Sequence, residues 1–273
     1  MGIYGLLSYC RTITNPADMT VRSLRIGIDA FGLVYLFKER TAELEEYIHS
    51  LLRLDHTLIF ILDKKANKEK QKTIQMRQEK REVANKKVKE LTELIQSPSF
   101  ETLDEKIKEK TKGELLKKKK ASWHFNNAHK KWFLGFLKTL QEEGKSVEII
   151  SAQEEADDDL AKGNFDRVIS ADSDLLLLGC KILWIPLGNH IKHNEIIGET
   201  FTNYIGLNKE QLYELSYLVG CDVQVRKIVP IDVAVSWLRF YGSLEILVKK
   251  FPHKLKQSDL DEYKRLKETV WIY

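Results

Sequence analysis

Carboxylates stand where apolar runs stop. Asp29 closes LRIGID, Asp63 closes LIFILD, Glu155 and Asp157 follow SVEIIS, and Asp172 and Asp174 follow DRVIS. Asp222 closes the GCD at the end of a helical stretch. Singly, an Asp after a strand is more often a helix cap or a turn residue. Asp158 and Asp159 read that way, as acids facing a helix dipole, and Asp166 as a turn residue. The set, in this order, points elsewhere. Carboxylates gathered in one place repel each other unless a cation neutralises them. Hard oxygen donors suit Mg2+ or Mn2+. The seven histidines (His49, His56, His124, His129, His190, His193, His253) have no ligand spacing that competes with the acids.

Such acids act together only if regular elements bring them to one edge. SLRIGIDA, HTLIFILD, SVEIIS, DRVIS and KILWIP read as short apolar strands. The amphipathic runs FGLVYLFKER and AHKKWFLGFLKTLQEEG, the latter ending at Gly144, read as helices between them. Strands alternating with helices imply parallel pairing in an α/β sheet. The C-terminal strand ends then share one edge, where ligands bind. Further on, NKEQLYELSYLVG is a helix capped by Asn208, and VAVSWLRFYG and SLEILVKKF are two shorter ones.

Charge sets one segment apart. The chain has 273 residues, is 31% charged and carries a net charge of +4. Between Lys64 and Lys120 stand 19 Lys/Arg and 10 Asp/Glu, a net of +9, so the remainder carries −5. Two long polar helices, broken at SPS around Pro98, fit this stretch. They form either a solvated charged hairpin or an arm that touches a polyanion. A hydrophobic fraction of 43% excludes wholesale disorder. Three scattered cysteines (Cys10, Cys180, Cys221) exclude a disulfide framework and a cysteine-rich zinc site. No apolar run reaches membrane-span length and no secretory leader is visible, so a soluble intracellular protein is expected. KKKK at 117–120 reads equally as a nuclear localisation signal and as the end of the charged hairpin.

Several blocks together resemble the flap endonuclease family, the XPG-like structure-specific 5′-nucleases. These are the opening MGIYGLLSYC, then RIGIDAFGLVY, EEADDDLA, VISADSDLLLLGC and LNKEQLYELSYLVGCD, and the match runs from Met1 to about Phe251. The resemblance implies a PIN-like 5′-nuclease core with a mostly parallel sheet. It also implies a basic helical arch inserted into the core and a helix-turn-helix-like C-terminal duplex-binding region. The organisation expected is core at 1–63 and 121–207, arch at 64–120, and duplex-binding helices at 208–273. It implies two Mg2+ ions, with Mn2+ as a substitute, held by Asp29, Asp63, Glu155, Asp157, Asp172, Asp174 and Asp222. Lys70 and Arg77, seven apart on the arch's first helix, would contact the scissile phosphate. Tyr35 would stack a base beside the cut, and Gly2 would let backbone approach substrate.

The chain departs from the family after Asp222. The family's Gly-rich turn is replaced by VQVRKIVPIDVAVSWL, leaving Arg226 and Lys227 as side-chain phosphate contacts and putting a monovalent cation there in doubt. The activity implied is 5′-flap endonuclease and 5′→3′ exonuclease on DNA, in replication, repair or recombination. The partner implied is DNA with a flap, junction or free 5′ end, bound by a monomer, with no sliding-clamp-binding box. Compact members occur in large DNA viruses, so the site of action is the nucleus or a viral replication site in the cytoplasm. The alternatives are an RNA-cutting enzyme of the same fold, a scaffold without activity, and a PIN-like nuclease, which would lack the arch. Cys221, beside Asp222, is expected to pack rather than react.

Overall fold

The computed structural model describes residues 2–64, 71–153, 155–187, 192–224 and 226–269. All five apolar runs are strands, and all five are parallel. They are β2 (Arg25–Asp29), β3 (Thr57–Leu62), β4 (Val147–Ser151), β5 (Arg167–Ile169) and β6 (Ile182–Pro186). Two further strands, β1 (Asn15–Pro16) and β7 (His193–Ile197), are antiparallel and close one side. The order is β1-β7-β6-β5-β2-β3-β4. Register levels the strand ends: Asp29 pairs with Ile61, Ile28 with Ile169, and Leu62 with Ser151. The residues that follow these ends leave the sheet along one edge.

Helices cover both faces, as a sheet with continuous apolar strands requires. Alternate β3 residues serve opposite cores. Leu58 and Phe60 join Ile26, Ile28, Phe133 and Leu137 under α2 (Ala30–Phe37), α3 (Thr41–Leu52) and α7 (Asn127–Glu142). Ile59 and Ile61 join the larger core on the other side. That core is built from α1 (Leu6–Tyr9), α8 (Ala156–Lys162), α9 (Asp174–Leu177), α10 (Gly198–Ile205), α11 (Lys209–Val219), α12 (Ile231–Tyr241), α13 (Leu244–Lys250) and α14 (Gln257–Thr269). Asn208 caps α11 reciprocally with Gln211, as its position before an apolar run predicts.

The basic segment folds as α4 (Gln71–Gln96), the short α5 (Pro98–Glu101) with Pro98 in its first turn, and α6 (Glu105–Ser122). The two long helices pack along each other through a thin apolar seam of Ala84, Leu91 and Phe100, while α6 buries none of its residues. The hairpin therefore stands outside both cores.

Strand β7 escaped the sequence reading. Its inward side is polar: Glu195 accepts from the Trp184 indole N–H (2.8 Å) and pairs with Arg167 (3.1 Å), and buried His193 meets the Tyr47 hydroxyl. Polar partners on other elements hold one face of this strand, and on the other Ile196 is buried in the larger core.

Candidate active site at the sheet edge

Asp29 leaves β2 and caps α2. Its Oδ1 accepts from the Gly32 N–H (2.8 Å) and its Oδ2 from the Ser170 hydroxyl (3.3 Å). A Cβ at position 32 would lie 1.9 Å from Asp29 Oδ2, so only glycine permits this approach. Burial pushes the Asp29 carboxyl up to about 6, against the Gly32 hydrogen bond and with the added repulsion of Asp63 and Asp172. The acids thus sense one another across three segments.

Asp63, just beyond β3, accepts from the Ala156 N–H (2.8 Å) and pins the start of α8 to the sheet. Glu155 is the N-cap residue of α8 and Asp157 stands in its first turn. Past β5, the Asp172 N–H donates to Ser170 Oγ and the Asp174 N–H to Asp172 Oδ1, both at 3.0 Å. Asp174 Oδ1 in turn accepts from the Ile3 N–H (2.9 Å). The chain's start is thereby laid on the acids. A Cβ on Gly2 would fall 2.2 Å from Ser173 Oγ and 2.4 Å from Asp172 Oδ1. The loop after α11 presents Asp222, whose Oδ1 accepts from Arg77 Nη2 (2.7 Å), and whose carbonyl accepts from the Thr73 hydroxyl. The base of α4 is thus tied to an acid of the site.

These residues enclose a cleft of about 490 Å³. Asp29, Asp63, Glu155, Asp157, Asp172 and Asp222 line it, and Thr73, Ile74 and Arg77 of α4 face them. Asp174 does not line the cleft; it stands behind Asp172 and holds the N-terminal strap. Tyr35 is half-exposed on the cleft wall, its ring edge-on to Trp123 at 5.4 Å. Lys70 lies outside the described residues, so only Arg77 of the predicted basic pair is placed. Among the described residues, no three acid, histidine or cysteine side chains are drawn close enough to hold a metal ion. The donor set is nonetheless all carboxylate oxygen, and the raised Asp29 carboxyl marks a group that a hard cation would relieve.

Residues 146–222 match the sequence profile of the XPG I-region. That segment carries Glu155, Asp157, Asp172, Asp174 and Asp222. No curated protein sequence matches the chain. By fold, the chain is similar to the catalytic core of Rad2 in complex with DNA substrate, with a TM-score of 0.63 and 16% identity, covering 98% of this chain and 80% of that one. It is similar to flap endonuclease-1 from Methanococcus jannaschii, with a TM-score of 0.58, 18% identity, and 93% and 81% covered. It is also similar to human GEN1 in complex with Holliday junction DNA, with a TM-score of 0.58 and 14% identity, covering 98% of this chain and 62% of that one. Residues 146–222 thus carry an XPG I-region, and the whole chain shares the fold of these three nuclease structures.

Two residues assigned to duplex contact, Arg226 and Lys227, do not line the cleft. Arg226 Nη1 donates to Asp259 Oδ1 on α14 (2.9 Å), and the Arg226 N–H donates to Gln224 Oε1 (3.3 Å). Asp259 is buried and holds one end of this guanidinium, yet the Arg226 side chain stays 60% exposed, and Lys227 is exposed as well. Burial pushes the Cys221 thiol up to about 12, which makes it a packing residue.

Sequence reasoning missed several cleft residues, among them Gly32, Thr73 and Ile74 and a group of two rings and a cation. Phe31 and Phe125 meet at 4.9 Å, and Lys130 Nζ lies 5.1 Å over the Phe31 ring. Phe31 follows Asp29 by two residues, and that proximity was the available signal. Phe125 sits between the hairpin and α7, where no periodicity marks it.

Proposed function

We propose that this XPG-like protein is a divalent-metal-dependent 5′-nuclease, a 5′-flap endonuclease and 5′→3′ exonuclease acting on DNA in replication, repair or recombination. One observation carries the reading: carboxylates from separate strand ends face Arg77 across a single cleft at the foot of a basic helical hairpin. The similarity to a Rad2 core solved with DNA substrate supports the choice of polymer.

Asp29, Asp63, Glu155, Asp157, Asp172 and Asp222 would hold the metal ions, with Asp174 behind them. When bound, a pair of divalent ions supplies an activated water and charge stabilisation at the leaving oxygen. The protein's own groups do the rest. Arg77 offers a planar guanidinium that suits two phosphate oxygens, and it reaches them by exchanging its Asp222 partner. Lys70, seven residues earlier, is assigned to the same phosphate. Tyr35 stacks the base beside the cut, a contact worth roughly 1–3 kcal/mol. Gly2, without a Cβ, keeps the strap low over Asp172 and Asp174 and leaves room for a backbone. The hairpin's excess of lysine and arginine draws the polyanion toward the acids.

The test uses a 5′-labelled DNA flap beside the same flap in RNA, with Mg2+ and with chelator. The wild type is expected to cut the DNA flap near its junction, only with the metal present. Asp172→Asn keeps the acceptor for the Asp174 N–H and should lower the rate at least about a hundredfold, since even second-layer ligand supports are worth 10–100-fold. Cutting of RNA alone would replace the substrate. Silence on both with folded protein would leave a scaffold.

A further inference from the structure

Six of the seven acids follow the ends of strands, and the sheet behind them fixes their places. Asp222 does not. It stands in the irregular loop after α11, so bonds from other elements must set its position. Arg77 and Thr73 of α4 touch it from the hairpin side. A second set holds the loop from behind. The Tyr4 N–H donates to the Gly220 carbonyl (3.1 Å). The Cys221 N–H donates to the Gln224 carbonyl (2.7 Å), which folds the chain back across Asp222 and Val223. Gln224 is buried, and its Oε1 accepts from the Arg226 N–H (3.3 Å). Arg226 Nη1 then reaches Asp259 Oδ1 on α14 (2.9 Å).

Asp259 is a fixed point. Its side chain is 5% exposed, and its other oxygen accepts from the Lys256 N–H (2.7 Å) at the start of α14. Helix α14 is bonded to α11 in turn, with the Tyr217 hydroxyl on Glu262 (3.0 Å) and the Tyr263 hydroxyl on Glu210 (2.6 Å). A buried carboxylate is costly without a counter-charge, so Asp259 retains its cation. Arg226 meets that need with one end of a rigid fork. The line from Asp259 through Arg226 and Gln224 to Cys221 therefore starts on a helix that contributes no residue to the cleft. It ends at the residue before Asp222.

Building on the nuclease reading, we propose that α14 positions Asp222, with Asp259 and Arg226 as positioning residues that act on this acid through the Gln224 turn. The pair does for Asp222 what the strands do for the other six. In this role Arg226 steadies the cleft from behind and does not grip the duplex. When the loop slackens, Asp222 faces the other acids for less of the time. Cation affinity then falls, while the reaction at saturating metal is kept.

The experiment compares Arg226→Gln and Asp259→Asn, each of which removes a charge. Two readouts need no cleavage. Hydrogen exchange of the metal-free protein should quicken roughly tenfold in the peptide spanning 220–228 and stay unchanged in α7. Titration with Mn2+ should show binding weakened about tenfold in both variants, the lower end of what outer supports of metal ligands contribute. In single-turnover flap cleavage the metal midpoint should rise by the same factor, with the rate at saturating metal within about threefold of wild type. Adding Arg226→Gln to Asp222→Asn should change Mn2+ binding no further. A lower maximal rate with the midpoint in place would overturn the proposal. So would the signature of a phosphate contact, in which Arg226→Gln weakens metal-free duplex binding and flattens its log–log salt slope by about 0.9, while Asp259→Asn does not. If Asp259→Asn fails to fold, Arg226→Gln still decides, because that side chain is 60% exposed, and unchanged exchange at 220–228 overturns the proposal. A folded wild type that neither binds Mn2+ nor cuts would overturn the nuclease reading, and the exchange result would still judge the link from α14.

Discussion

The acidic edge of the sheet and the basic hairpin above it are held by opposite means. At the edge, Asp63 is bonded to the start of α8, Asp29 to α2 and Ser170, and Asp174 to residue 3 of the chain. Each of these bonds joins the end of a strand to another element, and the strands behind them are buried. The hairpin has an apolar seam of a few residues, an α6 with nothing buried, and ties at its two feet: Thr73 and Arg77 to Asp222, and the Lys120 carbonyl to Lys38. Dense cross-links fix the groups that must meet a reacting atom within a fraction of an ångström. Sparse anchorage suits a guide that meets a long, variable polymer.

Breaking the edge should have the largest effect. Asp63→Asn removes a cleft carboxylate and is expected to abolish flap cleavage, while thermal unfolding shows the fold intact. Residual cleavage above about one per cent would count against the edge as the reacting site. Gly2→Val tests the strap. A side chain there collides with Ser173, Asp172 and Asp174, so cleavage should fall by tens-fold with Tm unchanged, because the strap lies at the chain's start.

The hairpin should respond differently. Arg77→Ala is expected to lower single-turnover cleavage by tens-fold and to change substrate affinity less than threefold. Equal losses in rate and affinity would reduce Arg77 to a general phosphate contact. The smallest effect separates an acid buried for chemistry from one buried for structure. Glu214 on α11 accepts from the Leu244 N–H (3.0 Å), and burial pushes its carboxyl up to about 7. The folded protein thus keeps this proton where the unfolded chain has lost it. The contribution to stability is full below about pH 4.5 and is lost as pH rises through about 7. Glu214→Gln should flatten the profile of Tm against pH between 5 and 8 and leave cleavage unchanged.

What the sequence revealed followed from how each feature is built. Five apolar runs, four of them stopping at acids, specify both the parallel strands and the cleft, because strand end and carboxylate are adjacent in the chain. Asn208 and Gln211 announce the start of α11 for the same local reason. Features that depend on distant partners stayed hidden. Arg226 reads as a free cation until Asp259, 33 residues on, is brought beside it. Strand β7 has no apolar alternation because His193 and Glu195 fill one of its faces, and their partners Arg167, Trp184 and Tyr47 stand on other elements. Asp174 lies in the same short run as Asp172, yet the Ile3 N–H that it accepts comes from the far end of the chain.

The Arg77–Asp222 pair gives the hairpin a second meaning. Asp222 holds the guanidinium that the proposed function assigns to phosphate, which would make the two rivals. Whatever captures Arg77 strips Asp222 of its counter-charge, and whatever neutralises Asp222 loosens α4 at its root. Linked equilibria of this kind are reciprocal: the factor by which substrate releases the hairpin equals the factor by which a docked hairpin holds substrate off. On the proposed reading the net charge of the cleft would then be a variable, more negative when the arginine is drawn away, and cation binding would strengthen as substrate arrives.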